Sequence, residues 1–529
     1  MAIDGPRRVS PLPAVEAFGA GTAGAGDAGA GAVTPIAGGA VVELTDTEDE
    51  EQDSSRGRAV RGGAFTLVGH FVVQLLRMGG QIVLTRLVPQ EAFGLMAIVH
   101  TFRAAVDLFS DIGIGPSIIQ NPRGDDPRFL DTAWTMGFGR GVALFSFATL
   151  SAVPMAHFYG HSELGMLIPA ASVSAIIAGS RSTRAYTAER HLILGLPTLI
   201  EVLAQVAALG VMIAWALWSP TVWALVAGGL AGAIVDVSLG HLLLPGYNAK
   251  PGWEKAAVAS LMHFGRWVFL STVLTFAVNE ADRLVFGKMV SLAELGVYNV
   301  ALTIASVPQA AMQSLASRVI FPLFSRVNQT GEDLAVVFNK ARRLHLILSG
   351  WALSGLIGGG PAAIGLVYDN RYAAGGWMLQ FLAAAAWFGT PEGTNTSANL
   401  ACGHPRLVAA GNLAKLIGML LLIPLGYHYW GFPGALFAYA GSELFRYAAS
   451  TWSVYRLGLR TFRQDVGFCV VVAVSSTASM FVMQALAAHG VPVILRALAV
   501  FLVATLIWSP WLWPYSMDML RRLQARYGR

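Results

Sequence analysis

The chain has 529 residues, of which 55% are hydrophobic and 13% are charged, and its formal net charge is +5. Soluble domains carry about 25% charged residues, so this composition excludes an ordinary water-soluble surface, and the small net charge excludes a nucleic-acid partner. Long apolar blocks such as 141–157, 202–217 and 497–513 are separated by short polar segments. A membrane-crossing helix needs roughly 20 apolar residues, and these blocks lack the alternation of barrel strands. The sequence therefore predicts an all-α integral membrane protein.

Residues 1–60 precede the first apolar block. They are rich in Ala, Gly and Pro, include an acidic run at 45–53, and lack the apolar core of a signal peptide. Because such a composition buries too little apolar surface to fold alone, we expect a disordered cytoplasmic tail.

About fourteen transmembrane helices are predicted after the tail. Their spans are 62–86, 92–114, 133–157, 164–182, 192–214, 220–242, 263–286, 293–317, 344–367, 375–399, 406–428, 430–454, 465–487 and 491–514. Arg and Lys concentrate in alternate loops and in the segment after 514. Since cytoplasmic loops are enriched in these residues, we expect both termini to lie in the cytoplasm. The protein would then be a multi-pass protein of a bacterial inner membrane.

An internal repeat relates the two parts of the chain. Residues 85–98 (TRLVPQEAFGLMAI) align with residues 287–300 (GKMVSLAELGVYNV). The two stretches are 202 residues apart, and this offset aligns Gly94 with Gly296. Both copies join successive helices and run through the membrane in the same direction. The pattern predicts parallel repeats related by an axis along the membrane normal, as in transporters whose substrate site lies between the halves.

Ionisable residues inside the predicted helices are candidate functional positions, because each costs about 2.5–3.5 kcal/mol at the bilayer centre. Arg77, Arg103 and Arg140 could attract an anionic head group. Asp107 and Asp111 follow Arg103 at intervals of four and share its helical face. The carboxylates that could couple an ion or form a gate are Asp107, Asp111, Glu201, Asp236, Glu280 and Asp282.

The alternative interpretation of these charges is structural. They could form an ion-pair network that locks the helix bundle or closes an inner gate. Glu443 and Arg446, three residues apart in one predicted helix, could likewise pair with each other.

Motifs of enzyme chemistry are not found in this sequence. It contains no GxxxxGK[ST] loop, no HExxH and no GxSxG. The eleven histidines are scattered, and the two cysteines, Cys402 and Cys469, show no metal-ligand spacing. We therefore expect no enzymatic activity, no catalytic or metal site and no cofactor.

Three stretches resemble a known family: 83–120 (beginning VLTRLVPQEAFGLMAIV), 279–309 (NEADRLVFGKMVSLAELGVYNV and onward) and 395–406 (NTSANLACGHPR). They are similar to polysaccharide transporters of the Wzx type, within the multidrug/oligosaccharidyl-lipid/polysaccharide exporter superfamily. The likeness covers roughly 62–515.

The resemblance implies two six-helix bundles around a central cavity, plus two peripheral helices. It divides the chain into the tail 1–60, an N-terminal bundle 61–250, a C-terminal bundle 251–455, and a final part 456–529 with the two extra helices and a basic cytoplasmic tail. The halves would be related as parallel pseudo-twofold repeats.

The resemblance also implies that the protein flips an undecaprenyl-pyrophosphate-linked oligosaccharide from the inner to the outer leaflet, by ion-coupled alternating access without ATP. The product would be an exopolysaccharide, capsule or O-antigen. A cationic lining suits a pyrophosphate, which favours roles for Arg77, Arg103 and Arg140. The expected partners of a monomeric protein are the lipid-linked oligosaccharide and the bilayer, with a polysaccharide polymerase and co-polymerase as further candidates.

Three alternatives stay open. Within the superfamily they are a lipid II flippase and a multidrug/cation antiporter; outside it is a membrane assembly factor for a glycan synthase that transports nothing. The antiporters usually present an acid deep in the first helix, where this chain has Arg77 and Gln81.

Overall fold

The computed structural model describes residues 69, 71–109, 114–191, 193, 195–331 and 333–527. Helices make up nearly all of these ranges, and no strand occurs within them. The predicted all-α membrane class is therefore confirmed. The predicted tail at 1–60 lies outside the described residues.

The helices are named here in chain order. They are α1 (71–87), α2 (Gln90–Phe109), α3 (Ile114–Gln120), α4 (Pro127–Tyr159), α5 (Leu164–Gly179), α6 (Arg184–Arg190), α7 (Gly195–Trp218), α8 (Val222–Leu243), α9 (Lys255–Met289), α10 (Leu292–Leu315), α11 (Phe321–Thr330), α12 (Leu334–Val367), α13 (Gly375–Ala401), α14 (Pro405–Arg456), α15 (Phe462–Ala488) and α16 (Val493–Tyr527).

Local sequence signals fix several helix ends. The side chain of Asp126 accepts a hydrogen bond from the Arg128 amide ahead of Pro127, the first residue of α4. Ser291 and Glu294 form a reciprocal capping box at the start of α10. Within α14 the helix breaks at Trp430 and Gly431, where Gly431 has φ of 62°, a conformation that glycine adopts without strain.

The break in α14 separates two arms that correspond to the predicted spans 406–428 and 430–454. Each of the other predicted spans overlaps mainly with one helix in the part of the chain that the structure describes. By length and composition, eight helices of the described chain could cross a membrane, namely α4, α7, α8, α10, α12, α14, α15 and α16. The pair α5 and α6, bent by 58°, adds a ninth candidate.

The helices pack in two groups. In the first, α7 packs on α8, α4 on α5, and α5 on α8. In the second, α13 packs between α12 and α14 and also against α10. Helices α15 and α16 pack on each other and on α12, as expected of two added helices. The bundle boundaries at 250 and 455 stay predictions.

The two groups meet where α2 crosses α10. A Cβ atom on Gly94 would collide with the backbone oxygen of Leu292, and one on Gly296 would collide with that of Gln90. Both contacts obey the predicted offset, since 90 and 292 differ by 202, as do 94 and 296. Reciprocal contact between equivalent residues is the property of a twofold axis. The crossing therefore supports the predicted parallel repeats.

A continuous apolar cluster surrounds this crossing and contains residues of both groups. Val88, Phe93, Leu295 and Tyr298 belong to it and are buried. Polar contacts also join the two groups near this crossing. Arg371, in the turn between α12 and α13, donates to the backbone oxygens of Thr85 at 2.9 Å and Arg86 at 3.1 Å, and Lys288 donates to that of Phe158. The halves are thus closed on each other at the predicted outer end.

At the predicted cytoplasmic end, the linker between α8 and α9 is held by the first group. Arg123 pairs with Glu254 at 2.7 Å, and the amide of Lys250 donates to Asp131 at 2.7 Å. Arg123 also donates hydrogen bonds to Asp126 and holds the pKa of that carboxyl below its usual value. The start of α9 therefore packs with the first group, although the predicted boundary assigns it to the second.

We expect Gly94→Ala and Gly296→Ala each to lower the thermal unfolding midpoint of the purified protein. The added methyl group would force the α2 and α10 backbones apart, because each glycine faces a backbone oxygen that cannot rotate away. Gly210→Ala is the matched control, since a Cβ atom there meets nothing within 4 Å. Equal midpoints for all three variants would contradict the close crossing.

Candidate functional site

A cavity of about 830 Å³ in the first group lies between α1, α7 and α8. Three of the predicted site residues line it: Arg77, Glu201 and Asp236. The Nε atom of Arg77 donates to the side chain of Gln205 at 3.3 Å. Asp236 lies 3.5 Å from the Nε atom of Arg181. Two cations, Arg77 and Arg181, and three carboxylates, Glu189, Glu201 and Asp236, line the cavity, so its described lining carries no excess of positive charge.

A second cavity, about 230 Å³, lies between α2, α4 and α5 and brings together Arg103, Asp107 and Arg140. Arg103 donates to the Ser174 hydroxyl at 2.6 Å and lies 3.6 Å from the Asp107 carboxylate. Arg140 donates to the backbone oxygen of Asp107 at 2.6 Å. Arg103 and Arg140 were predicted as head-group residues and Asp107 as a coupling or gate residue; the structure places these three side by side and places Arg77 in the other cavity.

Arg181, in the turn after α5, lines both of these cavities. We did not single it out from the sequence, because it falls in a loop where basic residues only indicated orientation. Among the described residues that line the second cavity, three guanidinium groups, those of Arg103, Arg140 and Arg181, accompany one carboxylate, that of Asp107. The described lining of this cavity is therefore electropositive. Asp111, predicted to lie beside Asp107, is outside the described residues.

The predicted candidates on α9 occupy a different place. Glu280 accepts a hydrogen bond from the Thr101 hydroxyl of α2 at 3.2 Å and pairs with Arg283. Asp282 is buried and accepts a hydrogen bond from the Tyr298 hydroxyl of α10. Glu280 thus joins α9 to α2 across the interface, and Asp282 joins α9 to α10. These contacts are those of the structural alternative, in which the charges lock the bundle.

The second group contains a cavity of about 490 Å³ between α10, α12, α13 and α14. A buried ion network forms one wall. Glu443 lies 2.7 Å from Lys415 and 2.6 Å from Arg446, which is 3.9 Å from Glu392. The predicted pairing of Glu443 with Arg446 is confirmed. Lys415 and Glu392 were missed, although Lys415 is a single charge within an apolar block.

A further buried pair fastens the peripheral helix α15. Arg342 of α12 contacts both carboxylate oxygens of Asp465, at 2.8 and 2.9 Å, and donates to Thr394 and Asn395. Arg342 is 0% and Asp465 is 4% exposed. Arg342 lies between the predicted spans 293–317 and 344–367, but the helix α12 begins earlier, at Leu334, and carries this side chain into the protein.

Residues 83–374, more than half of the chain, match a family described as polysaccharide biosynthesis protein. The chain belongs to this polysaccharide biosynthesis family. The family resemblance predicted from 83–120 and 279–309 is thereby confirmed.

Relatives with assigned names agree. This polysaccharide biosynthesis protein is 23% identical over 436 residues to the lipopolysaccharide biosynthesis protein WzxC of Escherichia coli (strain K12), covering 77% of this chain and 87% of the relative. It is 24% identical over 303 residues to the teichuronic acid biosynthesis protein TuaB of Bacillus subtilis (strain 168), covering 56% and 62% of the two chains.

Solved structures show the fold. The lipid II flippase MurJ in an inward closed conformation superposes with a TM-score of 0.64 at 13% identity, covering 85% of this chain and 99% of that one. An inward-facing multidrug resistance MATE family transporter of the MOP superfamily gives a TM-score of 0.56 at 13% identity, covering 73% and 94%. The polysaccharide biosynthesis protein therefore has the fold of these transporters.

Removing the carboxylate charge of the Arg342–Asp465 pair should destabilise the folded protein. Asp465→Asn leaves Arg342 buried with an uncompensated charge, and breaking such a pair costs about 3–5 kcal/mol. We expect a clearly lower thermal unfolding midpoint in detergent solution. Asp125→Asn, which breaks the half-exposed pair with Arg190, should change the midpoint little. A similar midpoint for both variants would show that burial of the Arg342 pair is unimportant.

Proposed function

We propose that this protein flips an oligosaccharide linked to undecaprenyl pyrophosphate from the inner to the outer leaflet of a bacterial inner membrane. The observation that carries the proposal is the electropositive cavity of Arg103, Arg140 and Arg181. Guanidinium groups bind phosphate oxygens through charge-assisted, often bidentate hydrogen bonds. A pyrophosphate is the part of such a glycolipid that most needs compensation inside a membrane.

Family and fold support the broader statement that the protein is a flippase-type transporter of polysaccharide biosynthesis. The names of WzxC and TuaB place these relatives in lipopolysaccharide and teichuronic acid biosynthesis, and the MurJ structure is that of a lipid flippase. Transport by such a protein needs no catalytic group. The expected work is a change of conformation that moves the head group across the bilayer.

Closure at the predicted outer end supports loading of the glycolipid from the cytoplasmic side. Because α2 and α10 meet around Gly94 and Gly296, the glycolipid would enter from the cytoplasmic side, where both termini are proposed to lie. Opening the outer end would then release it to the other leaflet. This is alternating access around a fixed site.

An ion gradient would drive the cycle through carboxylates of the first group. Asp107 lies 3.6 Å from Arg103, and Asp236 lies 3.5 Å from Arg181. Protonation of either acid would weaken its pair and release a guanidinium group for the pyrophosphate. Glu201 lines the same cavity as Asp236 and is the third candidate.

Flipping of lipid II is the second candidate function, favoured by the TM-score of 0.64 to the lipid II flippase. Both cargoes share the undecaprenyl pyrophosphate, so an electropositive cavity suits either. They differ in the group attached to the pyrophosphate. A comparison of the two glycolipids in a transport assay with reconstituted vesicles would distinguish the functions.

The variants Arg103→Gln and Arg140→Gln test the head-group site. Each removes one charge while keeping hydrogen-bonding capacity, and a charge-assisted hydrogen bond contributes about 1.5–3 kcal/mol. We expect binding of undecaprenyl pyrophosphate to the purified protein to weaken at least about tenfold, and polymer export to be lost in a strain lacking the native gene.

Arg128→Gln is the matched control, since Arg128 is exposed near the start of α4 and does not line the cavity. This variant should bind the lipid and support export like the unmodified protein. Normal binding and export by both Arg103→Gln and Arg140→Gln would refute the proposed function.

A further inference from the structure

The wall that α10 contributes to the cavity of the second group is polar but uncharged. Gln309 and Gln313, four residues apart on one helical face, line it and are exposed. Their amides form no hydrogen bond with any described residue. An unpaired amide in hydrocarbon costs several kcal/mol. These side chains therefore face water or a polar ligand in the cavity.

The internal repeat gives these glutamines precise counterparts. Helix α2 begins at Gln90 and α10 at Leu292, and the offset of 202 residues that relates them also places Gln309 on Asp107. The same offset places Gln313 on Asp111. One copy of the repeat therefore has carboxylates at these two sequence positions, and the other has neutral amides.

Other neutral polar side chains line the cavity of the second group. Asn412 of α14 and the hydroxyls of Thr390 and Thr396 line it. His345 is 1% exposed, and its Nε2 atom contacts the backbone oxygen of Thr390 at 3.2 Å. Its Nδ1 atom has no hydrogen-bond partner among the described residues. His345 therefore lies at the edge of the cavity with its Nδ1 atom buried.

The charges at this cavity cancel. The network of Lys415, Glu443, Arg446 and Glu392 contains two cations and two carboxylates, joined by N–O distances below 4 Å. Unlike the site of Arg103 and Arg140, it offers no excess charge to a pyrophosphate. Amides, hydroxyls and a paired carboxylate are instead the groups that exchange hydrogen bonds with sugar hydroxyls. The volume of about 490 Å³ lies within the 300–1,000 Å³ range of small-molecule sites.

We propose that the cavity of the second group is a glycan subsite, in which Gln309, Gln313 and Asn412 bind the sugar part of the cargo. This inference rests on the proposed function, because it assigns the sugar and the pyrophosphate of one glycolipid to different halves of the repeat. The ligand class is a saccharide with free hydroxyl or acetamido groups.

The test compares two lipids. Undecaprenyl pyrophosphate lacks the sugar, and the native lipid-linked oligosaccharide is extracted from host cells that lack the polysaccharide polymerase. Dissociation constants of both are measured on the full chain in lipid nanodiscs. The unmodified protein should bind the glycolipid more tightly than the bare lipid.

The double variant Gln309→Leu/Gln313→Leu should lose at least about tenfold in affinity for the glycolipid and keep its affinity for the bare lipid. Leucine favours membrane insertion, so the helix should form. Ser314→Leu is the matched control, since Ser314 is an exposed residue of α10 that does not line the cavity. It should leave both affinities unchanged.

The outcomes separate the two proposals. If the glutamine variant binds both lipids normally, or if the unmodified protein does not distinguish them, the glycan subsite is refuted. If Arg103→Gln and Arg140→Gln bind both lipids normally, the proposed function fails instead. Should the double variant lower the thermal unfolding midpoint, Asn412→Leu on another helix tests the same subsite and should show the same selective loss.

Discussion

A charge inside a bilayer must be paired or hydrated, and this requirement arranges the interior of the protein. Arg342 with Asp465, and Lys415 with Glu443 and Arg446, satisfy it by burial in pairs. Arg103, Arg140 and Arg181 instead line a cavity in which Asp107 is the one carboxylate among the described lining residues. The first arrangement holds helices together. The second places cations where a ligand can contact them as well.

The axis of the repeat links these two arrangements. Around Gly94 and Gly296 the copies touch through equivalent residues, and the apolar cluster there contains residues of both. Away from the axis the copies have different chemistry, because α2 carries Arg103 and Asp107 where α10 carries Ala305 and Gln309. Geometrical equivalence with chemical difference fits the proposed binding of pyrophosphate and sugar by different halves.

Much of the fold could be predicted from the sequence, because a bilayer imposes a length on each apolar block. The spans, the family and the pairing of Glu443 with Arg446 follow from patterns within short stretches. The proximity of Arg103 to Asp107 was predicted, because a spacing of four residues puts both on one helical face. The position of Arg77 was not, because only the packing of α1 on α7 places it with Glu201 and Asp236 rather than with the other arginines.

Other features of the site depend on contacts between distant segments. No local pattern around Glu392 or Lys415 predicts an ion pair. Their partners lie on other segments and come close only where α13 packs against both arms of α14. Gln309 and Gln313 carry no charge, so a search for ionisable residues passes over them. The offset of 202 residues, applied to Asp107 and Asp111, would have drawn attention to both positions.

The reciprocal crossing at Gly94 and Gly296 also has a consequence for how such a molecule can change over generations. In a dimer of identical subunits, a substitution always occurs on both sides of the axis, so the two walls of a site must remain alike. When both copies are joined in one gene, each can mutate alone while the shared surface at the axis is kept. The fused chain can thus specialise one wall without altering the other, which no symmetric pair of separate subunits can do.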